Sequence, residues 1–529
     1  MRSLKHVLLA SVALGSLGVA DVATAQNFPI YGGGATFPAV AYRELFDCVH
    51  NDKLDGNTPT GTVANDGWTF GSVVKGEHTP SGPRPCDNSP EANTVFLYMG
   101  VGSGNGKKAL QRHNPRYLSE AGLSSPAVPY VDSEFPLAFY PTVDFAGSDD
   151  AWTSSDQTEW DTTAGLDGKT NKQRSGKLVW FPALAGPVAV IINGKDGNGV
   201  DLDLGSSGRL ELTREALCGI IAGQITQWND PKLLAANPGL QNNGGQITFV
   251  HREDKSGTTF IFANAMIEQC KPGNQAPGAI AYPWPWADIT KSGCSTTLAS
   301  GLYSWPDQAG GCPAPLPAGA VFARGNGNGG MRTQVQAING AIGYSTSDYV
   351  KPVISTGPDT ANVQNQNDIA TSNLTGPFNP PDPTATGITL AGLDLSAIST
   401  PAQIADAVLW GTTLQTQLGN PAAADAYPIA GFTMIGTYQC WMQDPNNQGV
   451  DHAGRPILDI LNGYLNWHFF SDDAKGIIEA NGFVPVSTTI RDKIETLFND
   501  TAAAPLNWGG KTPGCRGIPG VQYGVKTRN

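Results

Sequence analysis

Apolar and polar positions alternate along the chain in two distinct periods, one suited to strands and one to helices. Leu178–Ile192 (LVWFPALAGPVAVII) is almost continuously apolar, as expected of a strand buried on both faces of a sheet. Shorter strand-like runs fall at 94–99, 246–250, 341–344 and 427–439. Helical spacing marks 38–50, 107–112, 212–222, 259–269, 331–339, Ile457–Phe470 and 487–498. Strands alternating with helices predict an α/β architecture with largely parallel sheets. No internal repeat is present. The stretches 51–93, 274–325 and 351–387 are rich in Gly, Pro and polar residues and read as excursions from the core, the second as an irregular insert. Trp228 reads as a packing residue.

Several strands run through a glycine turn into a helix. Gly32-Gly33-Gly34-Ala35-Thr36-Phe37-Pro38 does so first, with Pro38 suited to an opening helical turn. Gly100 to Gly106 repeats the arrangement around Ser103, whereas the Gly-Asn run from Gly325 to Gly330 reads as an exposed turn. Asp149 follows an apolar run and by itself reads as a turn residue.

The segment His251-Arg252-Glu253-Asp254-Lys255-Ser256-Gly257-Thr258-Thr259-Phe260 is chemically the richest. It lies between a strand and a helix, which puts Ser256, Gly257 and Thr258 at a helix start. There the first backbone N–H groups have no internal partner and the helix dipole is positive, so an anion is favoured. Arg252 supplies a planar fork suited to an oxyanion, and Gly257 lets the backbone approach closely. Asp254 should repel an anion unless that anion carries a proton to donate. The competing interpretation is structural: Ser256 or Thr258 caps the helix, and Arg252 pairs with Asp254 or Glu253.

Charge and composition narrow the functional classes. The formal net charge of −13 argues against a nucleic-acid binder, and 40% hydrophobic residues are too many for general disorder. The length of 529 residues accommodates more than one lobe. Residues 1–25 combine a basic start, an apolar centre and Ala23-Thr24-Ala25, the features of a cleaved secretory signal cut after about Ala25. No later stretch has the length and apolarity of a membrane span. The eight cysteines, widely spaced in an exported chain, favour disulfides over metal, with Cys294 and Cys312 as a local candidate pair. No metal or cofactor is expected. The seven histidines form no close pair with metal-ligand spacing, and none accompanies Ser103 or Ser256 in a recognisable nucleophile motif.

Taken in order, these motifs resemble the periplasmic phosphate-binding proteins, the substrate-binding subunits of phosphate ABC transporters. The resemblance rests on the turn around Thr36, Gly102-Ser103-Gly104, Asp144 to Asp149, Ile225 to Pro231, Arg252 to Phe260 and Gly340 to Tyr344. It implies a type II periplasmic binding protein, with two Rossmann-like α/β lobes around a ligand cleft, joined by hinge strands. The implied division is 26–180 for the first lobe, 181–425 for the second with its inserts, and 426–529 returning to the first. The implied phosphate contacts are Thr36, Phe37, Ser103, Asp149, Arg252, Asp254, Ser256, Gly257 and Thr258. In the family the carboxylate matching Asp149 accepts the phosphate proton, and the one matching Asp254 orients the arginine. The expected function is therefore extracytoplasmic binding of inorganic phosphate without catalysis, with arsenate as competitor and a phosphate ABC permease as partner. Glu253 and Lys255 depart from the small residues usual there, and the inserts leave room for a secreted role, as in the DING-type proteins. A secreted phosphatase and a ligand-free surface protein on the same fold are the alternatives.

Overall fold

The computed structural model describes residues 28–49, 94–118, 142–165, 168–283, 305, 307, 316–371, 376–440 and 457–498. The expected signal segment, the 51–93 excursion and the candidate pair Cys294 and Cys312 lie outside them. The strands are β1 (Phe28–Gly34), β2 (Thr94–Gly100), β3 (Phe145–Ser148), β4 (Leu178–Ile192), β5 (Glu211–Leu212), β6 (Thr248–Arg252), β7 (Val321–Gly325), β8 (Ala341–Thr346), β9 (Asp359–Thr360), β10 (Asn362–Val363), β11 (Ala430–Tyr438) and β12 (Val484–Pro485). Ten of them form one sheet ordered β2-β1-β3-β11-β4-β8-β6-β7, with β9 and β12 attached to β4, while β5 and β10 pair separately.

The long apolar run at 178–192 is the spine of this sheet. All of β4 is buried. Its first part pairs with β11 and its last part, Val188 to Ile192, pairs with β8. One strand thus belongs to two blocks of sheet, and position 180/181, where the sequence suggests that one lobe gives way to the other, falls inside it. Within each block the pairing is parallel, β1 with β2 and β3, and β6 with β7 and β8. The expectation of largely parallel sheets is corrected at the spine, where β11 is antiparallel to β3 and β4, and β4 to β8. A strand that leaves one block and another that returns to it run in opposite directions.

Proline shapes this spine. Pro182 and Pro187 lack the N–H a central strand would use, and prolines inside sheets sit where the ladder is interrupted. The β11–β4 register shifts between Thr433 and Met434, leaving Ala183 as an extra residue beside Pro182. Such a bulge bends the strand and re-aims neighbouring side chains; Thr433 is one of those neighbours.

The helices that the apolar spacing predicts flank the sheet, but Ser103–Arg112 and Gly327–Ala337 begin four residues earlier than expected, inside the glycine turns. Pro38 precedes Ala39–Val49, Thr213 caps Arg214–Ile221 by accepting from the Ala216 amide, and Ile457–Phe470 spans the expected residues. An S–S bond joins Cys218 to Cys270, fixing Arg214–Ile221 to the end of Gly257–Gln269. Trp228 is buried, its indole N–H donating to the Gly340 carbonyl. The 274–325 stretch is not irregular throughout, since Val321–Gly325 adds a strand beside β6. All of its residues but Gly325 are exposed or half-buried, so they lack the apolar run that marks a buried strand. Among the described residues no helix is long and apolar enough to cross a membrane.

Candidate oxyanion site

Four helices begin around one point, each after a strand and a short turn: Ala39–Val49, Ser103–Arg112, Gly257–Gln269 and Gly327–Ala337. Their first turns bring backbone N–H groups and positive dipole ends to the same place. Close contact between the two sheet blocks requires glycine. A Cβ on Gly257 would lie 2.1 Å from Ser103 Oγ and 2.7 Å from Asp149 Oδ2, and one on Gly102, where φ is +92°, would lie 2.5 Å from the Lys255 carbonyl oxygen.

Arg252 stands at the end of β6 with its side chain wholly enclosed. Its Nε donates to Asp254 Oδ1 at 2.7 Å, and Nη2 donates to Asp254 Oδ2, making a two-pronged pair. Nη2 also donates to Thr36 Oγ1 at 3.1 Å, and Nη1 to Asn328 Oδ1 at 3.1 Å and Thr258 Oγ1 at 3.4 Å. All five guanidinium N–H bonds are therefore directed. Asp254 also accepts the Gly327 amide at 3.0 Å, at the start of a helix whose dipole favours a carboxylate. Burial raises the Asp254 carboxyl, but the Arg252 charge and these hydrogen bonds outweigh it and hold the group below the usual carboxylate range.

Asp149 lies at the other side of Gly257. Its Oδ2 accepts from Ser103 Oγ at 3.2 Å and its Oδ1 from Thr433 Oγ1 at 2.6 Å. The Asp149 amide donates to Ser103 Oγ at 3.0 Å, so serine and aspartate hold each other. Burial pushes the Asp149 carboxyl up to about 7, against the hydrogen bonds from Thr433 and Ser103 and the charge of Arg252. The next residue is treated differently: Asp150 is paired with Lys107 at 2.8 Å, and the same ammonium reaches Asp156 at 3.0 Å. Lys107 thus fixes the loop while leaving Asp149 without a cationic partner in direct contact among the described residues.

The remaining sequence candidates fall into place around these centres. Ser256 is buried and caps the Gly257–Gln269 helix, accepting from the Thr259 amide at 3.1 Å. Helix capping by Ser256 and the Arg252–Asp254 pair, both structural alternatives in the sequence, therefore occur together at this helix start. The ring of Phe37 turns into the core, 5.2 Å from that of Phe483, so its backbone is the part near the helix start. Thr36 and Thr258 are both buried. The structure thus gathers Thr36, Arg252, Asp254 and Thr258 in one hydrogen-bonded group and Ser103 with Asp149 in another, Gly257 between them.

Asn328, Thr433 and Lys107 were not among the candidates. Asn328 is fully buried, which corrects the reading of 325–330 as an exposed turn. Its signal was the repeated glycine turn into a helix, already present at Thr36 and Ser103. Thr433 had none, being one threonine in an apolar strand whose aim depends on the bulge opposite.

A family model described as PBP superfamily domain matches residues 87–440. Over 208 residues the chain is 32% identical to the phosphate-binding protein PstS of Xylella fastidiosa (strain 9a5c), a match covering 39% of this chain and 41% of that protein. The chain therefore spans less than half of that relative's length in the matched part. It is 24% identical to alkaline phosphatase L of Pseudomonas aeruginosa (strain UCBPP-PA14) over 450 residues, 83% of this chain and 84% of that one. Among solved structures, a phosphate binding protein from Stenotrophomonas maltophilia aligns over 93% of this chain and 99% of its own, with 22% identity and a TM-score of 0.56. That likeness establishes a shared fold, the mixed α/β arrangement of a type II periplasmic binding protein. With its family match running across both sheet blocks and the spine between them, the chain belongs to the PBP superfamily.

Proposed function

We propose that this chain captures inorganic phosphate reversibly outside the cytoplasm, for delivery to a phosphate ABC permease. The observation that carries the reading is the Asp149 carboxylate, buried against the helix start at Gly257 and held by Ser103 and Thr433. A carboxylate in that position repels an anion with no proton and accepts a hydrogen bond from one that has a proton. Phosphate retains a proton near neutral pH; sulfate does not. The Thr36 and Thr258 hydroxyls, the Phe37, Gly257 and Thr258 amides, Ser103 and Ser256 are the donors, and Arg252, bonded to both threonine hydroxyls, supplies the positive charge behind them. Asp254 orients the arginine. Charge-assisted hydrogen bonds contribute roughly 1.5–3 kcal/mol each, so several suffice for micromolar binding, about −8 kcal/mol, after association costs. The names of the PstS and Stenotrophomonas relatives support the same ligand.

Closure is a hinge motion of two lobes, 26–180 with 426–529 against 181–425, about the shared strand β4 and the return of the chain into β11. A cleaved signal at 1–25 makes the mature protein periplasmic or secreted. Calorimetric titration after denaturing removal of bound ligand tests the reading. At pH 8, where Asp149 is mostly ionised, phosphate and arsenate should bind at micromolar or tighter concentration and sulfate more weakly. A stripped, refolded protein that binds no phosphate overturns it.

The likeness to alkaline phosphatase L over most of both chains, together with the Ser103–Asp149 contact, favours a second reading as a phosphatase. Turnover of an aryl phosphate that disappears in Ser103→Ala would establish it. Absence of turnover by the protein that binds phosphate leaves the binding reading in place.

A further inference from the structure

We infer that Asn328 is a positioning residue of the oxyanion site, one that commits the hydroxyls of Thr36 and Thr258 to donate to the anion. The inference rests on the phosphate reading and names a part of that site which the sequence motifs do not mark.

The orientation of the Asn328 carboxamide follows from its partners. Arg252 can only donate, so the atom 3.1 Å from its Nη1 is the carboxamide oxygen. The amide nitrogen then faces Thr36 Oγ1 and Thr258 Oγ1, each at 3.3 Å. It has one proton for each. The same oxygens also receive N–H groups of Arg252, at 3.1 Å for Thr36 and 3.4 Å for Thr258. A hydroxyl has two lone pairs and one proton. When both lone pairs face groups that can only donate, the proton is all the hydroxyl has left to offer.

A threonine hydroxyl is otherwise indifferent, able to accept from a neutral ligand or donate to an anion. Asn328 removes that choice, so the hydroxyl dipoles are set before the anion arrives and need not reorganise when it does. Its own position is fixed from the backbone. It sits in the first turn of Gly327–Ala337, the helix whose leading amide Asp254 accepts, and it is fully buried. Asp254 and Asn328 therefore hold Arg252 from two sides, and Asn328 relays that order to the threonines.

A double-mutant cycle read by phosphate calorimetry tests this, using wild type, Asn328→Ala, Thr36→Val with Thr258→Val, and the combined variant. Asn328→Ala should weaken phosphate binding by about 10- to 100-fold in the threonine background, but by a clearly smaller factor, the part that passes through Arg252, once both hydroxyls are gone. Asn328→Asp keeps the shape but presents only acceptors, which draws the hydroxyl protons away; it should bind phosphate more weakly than Asn328→Ala. Equal losses in the two backgrounds, or wild-type affinity in Asn328→Asp, overturn the role of Asn328 while leaving phosphate binding intact. No binding by wild type overturns the phosphate reading and this inference with it.

Discussion

Two carboxylates lie on opposite sides of Gly257, and the protein treats them in opposite ways. Asp254 is tied to Arg252 by both oxygens and held below the usual carboxylate range. Asp149 accepts, among the described residues, from the hydroxyls of Ser103 and Thr433, and burial pushes it up to about 7. The first is a permanent charge whose work is to aim a guanidinium; the second is poised between charged and neutral. Their difference separates two tasks that the proposed ligand imposes. On the phosphate reading, the Arg252 side would hold an oxyanion of any kind, and the Asp149 side would distinguish one with a proton from one without.

Removing the arginine should have the largest effect. Arg252→Met deletes five directed N–H groups and leaves Asp254 unpaired. Phosphate binding should fall below detection by calorimetry, and urea denaturation should show a loss of about 3 kcal/mol, the low end for a broken buried ion pair because Asp254 keeps some contact with solvent. A variant with normal affinity would remove the Arg252 side from the site. Gly257→Ala should come next. Its methyl would press on Ser103 Oγ and Asp149 Oδ2, so the overpacking should cost about 1–3 kcal/mol of stability in urea denaturation and, by displacing Asp149, weaken phosphate binding and narrow its preference over sulfate. An unchanged affinity and preference would mean that the site has room at Gly257 that its contacts deny. Thr433→Val should be the mildest. Without its hydroxyl the ionised form of Asp149 loses a hydrogen bond, so the midpoint of the pH profile of anion binding should move upward, with only a few-fold change in phosphate affinity. An unmoved midpoint would separate Thr433 from the titrating group.

The fold was legible wherever burial imposes a simple period. The β4 run announced a central strand because both of its faces are covered. Val321–Gly325 gave no such signal, because an edge strand with half-exposed residues needs no apolar run. The antiparallel spine was also hidden, since strand direction depends on connections rather than composition. Within the site, residues at helix starts were legible through their turn chemistry, as at Thr36, Ser103 and Ser256 to Thr258. Asn328 occupied the same kind of position but was discounted, because a Gly-Asn run is far more often a solvated turn. Thr433 was out of reach, its role arising from a bulge beside Pro182 on another strand. The Cys218–Cys270 bond was likewise invisible, as pairing depends on which helix ends meet.

The division of labour between the two carboxylates is tested most directly by sulfate binding as a function of pH, in wild type and in Asp149→Asn. Asp149 is raised, so its neutral, donating form is present below about 7 and is lost above it. Wild type should bind sulfate weakly at pH 8 and progressively better as the pH falls through about 7. In Asp149→Asn the sulfate profile should be flat and the preference for phosphate narrowed. A wild-type sulfate affinity that does not change with pH, or a variant that keeps the full preference for phosphate, would contradict the assignment of proton recognition to Asp149.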